Sequence, residues 1–224
     1  MNDGYYVPRL FEFLKELAAH NNREWFAEHK ALYTELRARW EEDVTRLIGY
    51  MAAWEPRMAH MTARDCVYRI YRDIRFSPDK TPFKTYMSAG LGPYGKKSSR
   101  AGYYLHFDPS AEGGLYGGLW CPDSAMLRKM RKAIVDNIEE FESIVENPAL
   151  QQAFPQWCGS ALKTVPKGYD RNHPQAQYLR MKDYGRFSRV TAREFSDPSW
   201  PEMAAERFSK LAPFIEFINY SLDE

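Results

Sequence analysis

Arg69-Ile70-Tyr71-Arg72-Asp73-Ile74-Arg75-Phe76-Ser77-Pro78-Asp79-Lys80-Thr81-Pro82-Phe83-Lys84-Thr85-Tyr86 sets cations among aromatic and β-branched residues. Five cations (Arg69, Arg72, Arg75, Lys80 and Lys84) stand there against two anions, Asp73 and Asp79. A solvated segment has no need of Ile70, Tyr71, Ile74, Phe76 and Phe83, and a core strand does not take so many charges. The composition implies cations held at fixed angles by a partly buried frame. Such a frame makes either an internal ion-pair network or a site for an anionic ligand. Period-two alternation puts Tyr68, Ile70, Ile74 and Phe76 on one face and Arg69, Tyr71, Asp73 and Arg75 on the other. Arg72 is the exception on the apolar face. The pattern predicts a strand over at least 67–71, a turn at Ser77-Pro78-Asp79 and a second extended run from Pro82 to Leu91.

Helical periodicity dominates on both sides of this block. Leu10, Phe11, Leu14 and Leu17 predict an amphipathic helix over 9–20. Asn22 is a suitable N-cap, with Glu24 in the first turn, for a long helix over about 22–53. Its buried stripe runs through Trp25, His29, Leu32, Leu36, Trp40, Val44, Leu47 and Met51, and Pro56 closes it. Downstream, 102–107 and 114–120 read as a hairpin across Asp108 to Gly113. Pro122-Asp123 opens a second long helix carrying Leu127, Met130, Ile134, Ile138, Phe141 and Val145. A short helix over 148–154, a strand near 161–165, a loop at 167–174 and an edge or terminal strand over 187–195 follow. Ser196-Asp197-Pro198 caps a last helix that Pro213 should kink or split. The elements imply a single α+β domain over 1–224: a mostly antiparallel sheet of about five strands, packed by two long helices and a C-terminal helix.

Thirty-one Lys and Arg against 30 Asp and Glu leave a net charge of +1, so any affinity for anions must be local. Local excess exists: from Arg64 to Arg100 stand Arg64, Arg69, Arg72, Arg75, Lys80, Lys84, Lys96, Lys97 and Arg100, opposed by Asp65, Asp73 and Asp79. Cys66, Cys121 and Cys158 are odd in number and far apart, which fits a reducing cytoplasm rather than a disulfide framework. The sequence shows no secretory-signal pattern and no apolar run long enough for a membrane span, so the protein is expected to be cytoplasmic.

Several segments together resemble a known family. These are Asn21-Asn22-Arg23-Glu24-Trp25-Phe26, the Arg69–Lys84 block, Gly117-Gly118-Leu119-Trp120, Leu127 with Arg131, and the run from Lys163 to Lys182 with Gly168, Asp170, His173 and Pro174. In that order, from about Phe11 to Leu211, they resemble the bacterial and fungal domain of unknown function family 2461. The resemblance implies a compact α+β domain and brings no activity or cofactor with it.

The site residues follow from chemistry. Arg69, Arg72, Arg75, Lys80 and Lys84 are the candidate anion-binding set, because arginine forks suit phosphate or carboxylate and lysine adds an adaptable point charge. Asp73 is expected to be ionised and paired with Arg72 or Arg75, and in the alternative reading the whole block is an internal ion-pair network of a structural or interaction protein. Asp73, Asp79, His106 and His173 are candidate orienting or acid/base groups. The spacing of His106 with Asp108, and of His173 with Asp170, matches no metal-ligand motif, so no metal, cofactor or catalytic residue is assigned. Gly113, Gly114, Gly117 and Gly118 lack the helix start of a dinucleotide loop and read as turn and bulge positions. Tyr68, Tyr71, Phe76, Tyr86, Tyr94, Tyr103 and Tyr104 crowd the basic region, where aromatics serve either as core or in base stacking. The expected partner is an anionic small molecule or a nucleic acid, not a membrane.

Overall fold

The computed structural model describes residues 4–110 and 112–224. Among the described residues, ten α-helices accompany a five-stranded antiparallel sheet of order β1-β2-β3-β5-β4, an α+β architecture. The strands are β1 (Met87–Leu91), β2 (Gly102–Phe107), β3 (Gly114–Leu119), β4 (Gln156–Cys158) and β5 (Tyr184–Arg189). The chain forms two compact units. The first runs to Lys96 and takes in Tyr104–Leu115 and Arg189–Glu206; the second is made of Lys97–Tyr103, Tyr116–Ser188 and Arg207–Glu224.

In the first unit, α1 (Val7–Ala19) buries Val7, Leu10, Phe11, Phe13, Leu14 and Leu17. The long helix expected over 22–53 is two: α2 (Arg23–Glu28) and α3 (Lys30–Ala52). Asn22 caps α2 by accepting from the Trp25 N–H at 2.8 Å. His29 makes the break. Its ring Nδ1 lies 2.8 Å from the Trp25 carbonyl and its ring stacks on the Trp25 indole at 3.9 Å, while its backbone leaves the helical basin. The buried stripe changes phase there, so Phe26 and Tyr33 are buried where Trp25 and Leu32 are only half-buried. From Leu36 the expected stripe resumes through Trp40, Val44, Leu47 and Met51. Asp43 on that helix is buried and accepts hydrogen bonds from Tyr5, from Tyr6 at 2.9 Å and from Arg46 at 2.9 Å. The core closes on Phe107 of β2, which meets Phe11, Trp40, Phe195 and Trp200 at ring separations of 5.0, 5.9, 4.4 and 5.3 Å.

The strand expected over 67–71 does not form. After α4 (Ala63–Cys66), that segment touches the chain ahead only through isolated antiparallel bridges, Val67 to Ala89 and Tyr71 to Phe83. Between the Tyr68–Ser88 and Ile70–Lys84 hydrogen bonds lies Arg69 alone on one side but Thr85, Tyr86 and Met87 on the other. The returning chain bulges, and the ladder is interrupted. Pro82 stops it at the far end, because it offers Arg72 a carbonyl but no N–H. The extended run from Pro82 is therefore regular only from Met87.

In the second unit, Asp123 caps α5 (Ser124–Asp136) through two 2.8 Å bonds from Ala125 and Met126 N–H groups. The expected second long helix also breaks, at Asn137, where α6 (Ile138–Val145) begins. Met130, Ile134, Phe141 and Val145 are buried, whereas Leu127 and Ile138 beside the ends are half-buried. After α7 (Pro148–Ala153), the strand expected near 161–165 gives way to β4 and a lone bridge from Ala161 to Met181. A short α8 (Ala176–Leu179) precedes β5. The strand expected over 187–195 starts earlier and lies inside the sheet, between β3 and β4. Thr191 and Glu194, which belong to the first unit, form a capping box that turns its expected second half into α9 (Ala192–Phe195). Gly118, at φ +135°, sits so close to the Tyr184 carbonyl and Gly185 that a side chain has no room. Pro213 does not split α10 (Trp200–Asp223), whose Phe208, Leu211, Phe214 and Ile218 are fully buried on both sides of it.

Leu36 and Ile134 have no measurable exposure. Leu36→Ala or Ile134→Ala is expected to cost about 2–5 kcal/mol in denaturant unfolding. A loss below about 1 kcal/mol would contradict the burial of these stripes.

Candidate functional site

Phe83 anchors the basic segment. Arg72 N–H donates to the Pro82 carbonyl at 2.9 Å and Lys84 N–H to the Ile70 carbonyl at 2.8 Å, so the N–H and C=O of Phe83 point away from that strand. Asn21 takes both: its side-chain NH2 donates to Phe83 O at 2.9 Å and its Oδ1 accepts from Phe83 N at 3.1 Å. One side-chain amide thus stands in for a neighbouring strand. The Phe83 ring stacks on Phe26 at 4.1 Å and meets Tyr71 at 5.3 Å, which locks the segment against α2.

Beside this anchor opens a cleft of about 460 Å³ lined by Asn21, Arg72, Asp73, Asp79, Thr81, Phe83, Lys84, Thr85 and Tyr86. Lys84, Thr85 and Tyr86 are consecutive, and a regular strand would turn the middle one away. The bulge lets all three line one wall.

Of the five cations expected to bind an anion, the cleft takes in two, Arg72 and Lys84. Arg72 is paired with Asp79 and also donates to Thr81 Oγ1 and to the Thr81 carbonyl at 3.2 Å. Lys84 is half-buried, its ammonium 5.2 Å from the centre of the Tyr68 ring and 5.9 Å from that of Tyr86. Among the described residues no carboxylate is paired with it. Burial pulls its pKa below the ordinary lysine value, and the nearby Arg69 guanidinium pushes the same way. Arg69 itself is exposed, Arg75 binds Asp73 through two N–H bonds of 2.9 and 2.7 Å, and Lys80 donates to the Ile74 carbonyl at 2.9 Å. The Asp73 pair is therefore with Arg75 and stands in solvent, the two side chains 75% and 49% exposed.

Both carboxylates accept hydrogen bonds from within the 72–81 loop. Hydrogen bonds from Arg75 hold the Asp73 carboxyl down at about 2, and those from the Thr81 N–H, Arg72 and the Thr81 hydroxyl do the same for Asp79. His106 lies outside the cleft lining but behind it. Its ring packs on Tyr86 at 4.2 Å, its Nδ1 is 3.4 Å from the Tyr104 hydroxyl and its Nε2 is 3.4 Å from Asp108 Oδ2. His173 belongs to the second unit, where its Nδ1 accepts from the Gln175 N–H at 3.2 Å and its N–H bonds Asp170 O at 3.1 Å. No cluster of three metal-ligating side chains occurs among the described residues. Phe76, placed on the apolar face by its alternation, is 93% exposed. Asn21, Thr81 and Thr85 are the lining residues that sequence reasoning passed over; Asn21 sits next to an evident cap, and only its hydrogen bonds reveal the second role.

A five-stranded antiparallel sheet with helices, and a half-buried lysine in a charged cleft on the segment that leads into β1, define an α+β protein with a candidate ligand site. A family model for conserved hypothetical proteins (DUF2461) matches residues 9–217, and the chain belongs to that family. No curated protein and no solved structure matches it.

Two outcomes are expected. Asn21→Ala leaves a buried N–H and C=O at Phe83 without partners and should cost about 1–3 kcal/mol in denaturant unfolding; an unchanged midpoint would remove Asn21 from the anchor. The depressed Asp73 and Asp79 values mean that their contribution is complete above the ordinary carboxylate value of 3.8 and is lost as pH falls toward about 2. In an NMR titration both carboxyl signals should move with midpoints near 2, carrying the Arg75 and Thr81 amide signals with them. A midpoint at the ordinary 3.8 for Asp73 would break its pairing with Arg75.

Proposed function

We propose that the cleft binds a phosphorylated or other anionic ligand, with Lys84 as the charge that the ligand neutralises and Arg72 and Arg69 flanking it. The observation that carries this is the half-buried ammonium of Lys84, framed by two tyrosine rings and met by no carboxylate among the described residues. Removing a charge from water without a partner is costly, and an anion in the cleft would offset that cost. Thr81, Thr85 and the Asn21 amide add neutral hydrogen-bonding groups around the same space.

The second reading, an ion-pair network, is favoured by Arg72 with Asp79 and Arg75 with Asp73. Those pairs span seven and two residues and are open to solvent, so they brace one loop rather than hold a core together. The two readings divide the block: the paired cations shape the loop, and Lys84 with Arg69 faces the ligand. We take the setting to be cytoplasmic, where the unpaired Cys66, Cys121 and Cys158 stay reduced. Among the described residues no helix is long and apolar enough to cross a membrane.

A thermal-shift series with phosphate, nucleotides and dicarboxylates at low and high salt tests the proposal. A ligand at a hundred times its dissociation constant should add about 2.7 kcal/mol of stability, less at high salt, and Lys84→Gln should remove the gain. Absence of stabilisation by every anion at low salt, or an undiminished shift in Lys84→Gln, would overturn it.

A further inference from the structure

We infer that the anion is the backbone of a single-stranded nucleic acid, whose bases stack on Tyr71 and Phe76 while its phosphates lie against Lys84 and Arg69. This rests on the anion reading of the cleft and adds the ligand class. Phe76 is 93% exposed and Tyr71 49% exposed, on the segment that supplies Arg72 and Asp73 to the cleft. The exposure of Tyr71 is not accompanied by a loose frame. Tyr71 is fixed by ring contacts to Phe26 at 6.0 Å and Phe83 at 5.3 Å, so it presents a set face to solvent. The Arg75 guanidinium lies 5.7 Å from the centre of the Phe76 ring, which places a cation beside the second platform.

The pairing of charges favours this ligand over a neutral apolar partner. Asp73 and Asp79 are taken up by Arg75 and Arg72, which leaves the block net positive around the two rings. Arg69 and Tyr71 are both exposed and two residues apart, so an unpaired cation and a ring share one face of the segment, while Arg75 stays with Asp73. Cations that follow a backbone, with aromatic rings between them for bases, are what sequence-tolerant binding of single strands requires. A duplex hides the base faces that such rings need.

Fluorescence anisotropy with a labelled short oligothymidylate, the matching duplex and inorganic polyphosphate separates the ideas. The single strand should bind more tightly than the duplex, with affinity falling as salt rises. Phe76→Ala, at a position too exposed to affect folding, should weaken oligothymidylate binding roughly 5- to 150-fold and leave polyphosphate binding unchanged. Tyr71→Ala should act in the same direction, and Lys84→Gln should weaken both ligands. If Phe76→Ala binds oligothymidylate as the parent does, or thymidine monophosphate binds as tightly as the oligomer, the inference is overturned while the anion reading survives. If neither oligothymidylate nor polyphosphate binds at low salt, the inference is overturned, and the anion reading then stands or falls by the thermal-shift series.

Discussion

The candidate site depends on one two-point hydrogen bond, from the Asn21 side chain to both backbone groups of Phe83. A strand with one paired edge leaves a row of N–H and C=O groups on the other, and buried ones must find partners. Phe83 is 3% exposed, so water cannot serve it. A whole further strand would fill the space where the cleft lies. A single amide satisfies the two groups and leaves the residues on either side uncovered, which is how a deep anchor and an open cleft occur side by side.

From that anchor the charge pattern follows. Phe83 fixed against Phe26 sets the start of the bulge, and the bulge brings Lys84, Thr85 and Tyr86 to one wall. Arg72 comes from the opposite side of the same pairing and is tied back by Asp79 and Thr81. The cation held by local carboxylates is therefore positioned, whereas the one held only by tyrosine rings has its charge available. Cation–π contacts contribute about 0.5–2 kcal/mol, less than a carboxylate partner would in the same half-buried place, so the rings orient Lys84 without neutralising it.

Much of the architecture was legible because it is written in local chemistry. Asn22, Asp123 and the Leu36–Met51 stripe identify helix starts and a buried face from residue type and spacing alone. The hairpin of β2 and β3 is equally local. The failures share one cause: a long-range or single-residue event that spacing does not record. His29 and Asn137 interrupt helices whose apolar periodicity runs almost smoothly across them. The alternation of residues 67–76 promised a strand, but the two-residue excess on the returning chain and the missing N–H of Pro82 prevented a continuous ladder. The place of β5 inside the sheet depends on Gly118 and Gly185 allowing close approach, which no count of β-formers encodes.

The same distinction applies to the site. Five cations against two anions in the block was the sequence's argument for an anion, yet a ratio does not say which cations are spare. Arg72, Arg75 and Lys80 each find an acceptor within seven residues, so local pairing absorbs most of the excess. The part that matters is the desolvation of one lysine, which depends on Tyr68 from the outgoing chain and Tyr86 from the bulge meeting around it. An exposed spare lysine is satisfied by water and carries no information about a ligand. A half-buried one without a carboxylate is a standing electrostatic deficit, and it is the burial, more than the number of charges, on which the proposal of an anionic ligand rests.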